Sequence, residues 1–173
     1  MISTVKILIR IIDNVTDRFG ALLAWLCLAM ALATGIVVIL RYGFGIGSIA
    51  LQESVTYMHA TLFMLGAAYT LRSGGHVRVD IFYRSFSDRS RAWVNSFGAI
   101  VFLMPLCLII LGISWRFVTE SWAVRESSVD PGGIPAVFLL KSIIPLMAIN
   151  LLFQGFAELL RNALTLLVDE DSA

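Results

Sequence analysis

Polar and apolar positions alternate in long blocks along this chain. Ala21–Leu40, Ser54–Leu71 and Ala92–Trp115 carry no Asp, Glu, Lys or Arg, and Ile134–Ala157 is interrupted only by Lys141. A helix needs about 20 apolar residues to cross about 30 Å of hydrocarbon, and backbone amides in lipid must be satisfied within the segment. The pattern therefore predicts an all-α membrane protein with four transmembrane helices in one membrane domain. The spans fall at about 20–41, 52–72, 88–124 and 135–160, the third including an external extension. Trp93 and Trp115 lie 22 residues apart in the third block, about 33 Å along a helix, which would set one indole at each interface.

The shorter polar stretches predict how these helices begin and end. Residues 2–19 place Lys6, Arg10, Asp13 and Asp17 on one helical face, with Leu8, Ile11, Ile12, Val15 and Phe19 on another. This predicts an amphipathic N-terminal helix that lies at the interface or leads into the first span. Gly74-Gly75 suits the end of the second span. Asp80 suits the N-cap of a short interfacial helix over Ile81–Phe86, and Ser87 the cap of the third span. The third helix should stop before Pro131-Gly132-Gly133. Pro135 fits the first turn of the fourth span, and Pro145 removes a hydrogen bond inside it.

Composition agrees with a membrane class. The 173 residues are 58% apolar and 14% charged, against about 45–50% and 25% in soluble proteins. Nine basic residues fall on the side of the two chain ends and the 72–91 loop, and four (Arg41, Arg116, Arg125, Lys141) on the other. The positive-inside rule places both termini (N-in, C-in) and that loop in the cytoplasm, with 161–173 as a cytoplasmic tail. The basic residues form no block of the kind that binds nucleic acid. Cys27 and Cys107 have no C-x-x-C spacing and read as small buried apolar residues.

Candidate chemistry is sparse. His59 is alone in the second span and reads as packed or hydrogen-bonded. No metal-ligand cluster, nucleophile arrangement or phosphate loop is present, so the chain reads as neither an enzyme nor a cofactor carrier. Charges beside the spans carry more weight. Glu53 is expected to pair with Arg41 across the first hairpin, to contact another subunit, or to titrate. Arg116 and Glu120 form an i,i+4 pair, and Lys141 is shallow enough to snorkel. Together, Arg41, Glu53, Arg116, Glu120, Arg125, Glu126 and Lys141 are candidates for assembly or docking. Gly74, Gly75, His76, Arg78 and Asp80 are candidates for a structural, lipid-contacting or partner-contacting loop.

The stretch Thr70–Tyr83, T-L-R-S-G-G-H-V-R-V-D-I-F-Y, resembles the small membrane subunit (Q or DctQ type) of the tripartite ATP-independent periplasmic (TRAP) transporters. Arg41-Tyr42-x-Phe44, Gln52-Glu53, Pro131-Gly132-Gly133-Ile134-Pro135, Leu140-Lys141 and Ile144-Pro145 extend the resemblance over nearly the whole chain. It implies a bacterial inner-membrane location and no cofactor. It further implies a large multi-span, sodium-coupled elevator subunit that holds the substrate. A periplasmic substrate-binding protein, usually for an organic acid, and the surrounding membrane lipids complete the partners. The small subunit would then be a scaffold for symport. Two other classes compete: a homodimeric four-helix exporter, which wants a carboxylate inside its first span, and a membrane anchor of an electron-transfer complex.

Overall fold

The computed structural model describes residues 2–76, 83 and 85–170, the last three by backbone alone. Among these the chain is helical, without strands. Helix α1 is Ile2–Gly43 and α2 is Ile49–Arg72. Helix α3, Asp88–Gly98, runs through a π-helical turn at Ala99–Leu103 into α4, Met104–Ala123. Helix α5 is Val137–Glu170.

The amphipathic start is continuous with the first apolar block, so the two expected elements form one helix of 42 residues, about 63 Å long. The third element is also continuous. Pro105 has no N–H to donate to Val101, and the chain meets it through the π turn, in which Met104 N–H reaches Ala99 O. Trp93 and Trp115 both stand exposed on this composite helix.

Helix ends follow local chemistry closely. The Ser48 hydroxyl accepts Leu51 N–H at the start of α2, and Ser87 accepts Ser90 N–H at the start of α3, as expected for a cap. Helix α2 stops in a Schellman turn. Gly74, at φ +67°, donates to Leu71 O, and Gly75 donates to Thr70 O. Helix α4 stops in the same way with Arg125 at φ +48°. Arg125 N–H donates to Trp122 O and Glu126 N–H to Ser121 O. Two expectations shift at α5. Pro135 precedes the helix by two residues instead of entering its first turn. Beyond residue 160, Arg161, Ala163, Leu164, Leu166 and Leu167, all strong helix formers, carry the helix to Glu170 where a tail was expected.

Among the described residues, three segments are long and apolar enough to cross a membrane: Ile2–Gly43, Asp88–Ala123 and Val137–Leu167. Four were expected, and α2 is the exception. It has 24 residues, about 36 Å, which is ample length. Gln52, Glu53, Tyr57, His59, Tyr69 and three threonines dilute its hydropathy. A segment without net charge is not thereby strongly apolar.

Helix α5 is the hub. It packs against α1, α2, α3 and α4, while α1 and α2 also pack on each other, and α3–α4 rest mainly on α5. The start of α1 and the end of α5 meet at one end of the bundle, the terminal end; the loops at 44–48 and 124–136 lie at the other. Little apolar surface is buried. Leu22, Trp25, Leu32 and Ile36 on α1, Phe102 in the π turn and Ile109 and Ile113 on α4 remain exposed, as suits a lipid-facing surface. Cys107 is buried as expected, but Cys27 is exposed on α1, and both are free.

Candidate functional site

Polar side chains collect at the two ends of the bundle. At the loop end, Glu53, near the start of α2, reaches the irregular segment between α4 and α5. Its carboxylate accepts the Ser128 hydroxyl and, at 2.6 Å, the Ile134 N–H. Gly133 makes this approach possible: a Cβ there would stand 2.4 Å from Ser128 Oγ and 2.7 Å from Glu53 Oε1. The expected Arg41–Glu53 pair does not form. Arg41 is exposed on the last turn of α1, while the carboxylate turns toward donors some eighty residues further along the chain.

Beside Glu53, the Lys141 ammonium donates to Glu126 and lies 4.1 Å from the centre of the Phe117 ring. Lys141 thus finds a carboxylate partner within its own chain. Its hydrogen bond holds the Glu126 carboxyl below its ordinary value of 4.5. Trp122 Nε1 donates to Ser142 Oγ at 2.8 Å and packs edge-on against Phe138. The Arg125 guanidinium covers both rings, 5.2 and 5.4 Å from their centres. That stacking gives the arginine a role at a left-handed backbone position that side chains rarely adopt. Arg116 and Glu120 form the expected pair at 2.7 Å and are largely exposed.

The terminal end holds a cluster that no motif pointed to. Gln154 on α5 is completely buried. Its Oε1 accepts the Thr16 hydroxyl at 2.8 Å, and its Nε2 donates to Asp13 at 3.3 Å. Arg161 donates to Asp13 at 2.7 Å and to Glu158. Arg72, from the last turn of α2, lies 3.5 Å from Asp13 and 2.8 Å from Asp17. Three helices are thereby tied by charge-assisted hydrogen bonds, which are stronger than neutral ones. The signal was periodic. Residues 13, 16 and 17, and residues 154, 158 and 161, each mark one helical face.

Midway between the ends, Asn150 Nδ2 donates to Leu65 O at 3.1 Å and joins α5 to α2. His59 departs from expectation. It is exposed on the outward face of α2, stacked on Phe63 with ring centres 6.2 Å apart. His76 is exposed and borders the groove between α1 and α2. Arg78, Asp80 and the start of the short helix at Ile81 lie outside the described residues. Of that stretch, Tyr83 is held by Asn95, which donates to its hydroxyl at 2.9 Å. Among the described residues no His, Cys, Asp and Glu side chains cluster as a metal site.

The structure thus brings Glu53, Glu126, Lys141 and Arg125 together as an internal closure of the loop end, and leaves Arg41, Arg116 and Glu120 facing outward. The arrangement fixes helices and a loop. Residues 30–165 match the family model for the DctQ component of tripartite ATP-independent periplasmic transporters. No curated protein and no solved structure matches the chain.

Proposed function

The chain belongs to the DctQ family and is a small (Q) subunit of a TRAP transporter; from that premise we propose that it is a fixed scaffold for a large, sodium-coupled elevator subunit. The family match over residues 30–165 carries this reading. The described chemistry supports it, because the polar groups are spent on holding the chain's own helices together. Substrate and sodium sites then belong to the large subunit, and an organic acid reaches it from a periplasmic binding protein.

In this reading α2 crosses the membrane as a fourth span. It runs beside α1 and α5, is long enough for the hydrocarbon layer, and buries Ala68 and the Asn150–Leu65 bond among its neighbours. An even number of passes returns both chain ends to one side. The excess of basic residues makes that side the cytoplasm, so the terminal network is internal and the Glu53 closure periplasmic. Arg41, Arg116 and Glu120 then form a charged periplasmic rim available to the binding protein. Gly74, Gly75 and His76, together with Arg78 and Asp80, form a cytoplasmic loop facing lipid headgroups or the large subunit. An exporter finds less support: Asp13 and Asp17, the carboxylates of α1, lie at its terminal end with Arg161 and Arg72 against them.

Reconstitution in liposomes tests the reading. Sodium-driven uptake is expected only when this chain, the large subunit and the loaded binding protein are all present. Transport by this chain alone would overturn it in favour of the exporter.

A further inference from the structure

The outward faces of the helices differ in one respect that a lipid environment cannot ignore. Gln52, Thr56, His59 and Phe63 follow one another at spacings of four, three and four residues, which sets them on one face of α2. All four are exposed, Phe63 to 75%. His59 lies ten residues into a helix of 24, about 15 Å from its start, and so near the middle of its length. No hydrogen bond within the described residues satisfies the Gln52 amide, the Thr56 hydroxyl or the His59 imidazole.

Threonine sharpens the point. The hydroxyls of Thr34, Thr61 and Thr70 each donate to the carbonyl four residues back, the usual way of hiding such a group in a membrane helix. Thr56, between them in sequence, does not. Midway along the composite third helix the exposed face is apolar, with Phe102 in the π turn and Leu106, Ile109 and Ile113 on α4. Hydrocarbon satisfies that surface and leaves the α2 stripe unsatisfied. Polar side chains within spans face protein or water and find partners there. His59 faces away from its own bundle.

We propose that the Gln52–Thr56–His59–Phe63 face of α2 is the surface on which this subunit meets a helix of the large membrane subunit, and that the facing helix offers hydrogen-bonding groups at mid-membrane depth with an apolar contact for Phe63. The α4 face is left to lipid. This rests on the scaffold reading above, which supplies the kind of partner, while the location and chemistry of the contact come from the stripe. A second copy of this chain is a less suitable occupant: it would bring no group that its own scaffold role requires.

The test uses the complete complex in native membranes. Phe63 is replaced by a benzoylphenylalanine photocrosslinker, and Ile109 likewise in a separate chain. Illumination is expected to join position 63 to the large subunit and position 109 to lipid. Chain-to-chain adducts, or lipid adducts alone, at position 63 would overturn the proposal. In parallel, the combined Gln52→Leu, Thr56→Val and His59→Leu variant remains compatible with insertion, since each change makes α2 more apolar. It is expected to recover the large subunit about tenfold less well or worse, from the loss of several interhelical hydrogen bonds. Undiminished recovery would overturn the assignment of the face while the scaffold reading stands. Failure of the unaltered chain to recover the large subunit would instead overturn the scaffold reading and, with it, this contact.

Discussion

The two ends of the bundle hold charge in different ways. At the terminal end, Asp13, Thr16, Arg72, Gln154, Glu158 and Arg161 are all side chains on regular helices, and their bonds join α1, α2 and α5 directly. At the loop end, Glu53 and Lys141 reach from helix starts to Ser128, Ile134 N–H and Glu126 in irregular chain. The first arrangement sets how helices pack; the second fastens a connection to helices already packed. Losing a member should therefore cost most at the terminal end.

Gln154→Leu provides the most severe break. It keeps the approximate volume but strands the Thr16 hydroxyl and removes a donor to Asp13 in a fully buried site. A loss of about 2–3 kcal/mol is expected, read as a lowered thermal unfolding midpoint in detergent by far-ultraviolet circular dichroism. A midpoint equal to the wild type would show that the network does not hold the helices. Gly133→Ala should cost less, about 1–2 kcal/mol, because the new methyl displaces Ser128 and Glu53 without touching helix packing. Limited proteolysis should then cut within 124–136 sooner, with helix content unchanged; cutting at the terminal end would contradict the division.

The comparison also has a pH signature. The folded-state pKa of Glu126 is lowered by Lys141, so its contribution is complete above the ordinary carboxylate value of 4.5 and is lost as pH falls through the lowered value. Thermal midpoints of the wild type and Glu126→Gln should differ at neutral pH and converge under acid conditions. A difference that persists in acid would remove the ion pair as its cause. Arg116→Ala should do least. Its pair with Glu120 is largely exposed, and such pairs are worth under about 0.5 kcal/mol. A large drop in stability would mean that Arg116 is more than an exposed rim charge.

Local rules made much of this fold legible in the sequence. Ser87 reads as a cap, Gly74-Gly75 as a stop and the long uncharged blocks as helices, because each depends on a few adjacent residues. The pairings were less accessible. Glu53 and Arg41 are near in sequence, which suggested a pair, yet the carboxylate takes donors from the far side of the fold. Thr16 and Gln154 are separated by 138 residues, and only their place in periodic polar faces hinted that they meet. From the sequence His59 reads as packed or hydrogen-bonded, because it stands alone in the second span. Which way it faces depends on how α1 and α5 sit against α2, and that is a property of the assembled bundle. The left-handed Arg125 likewise stacks on Phe138, beyond its own neighbourhood.

Many of the chain's charges pair within its own helices and loops, and the Gln52–Thr56–His59–Phe63 stripe of α2 faces outward. The most direct measurement is affinity purification of this chain from its own membranes in a mild detergent, with the mass and stoichiometry of what accompanies it. The account predicts a larger multi-span membrane protein in one-to-one ratio. Recovery of this chain alone or only with copies of itself, in a preparation that transports without a second protein, would contradict it.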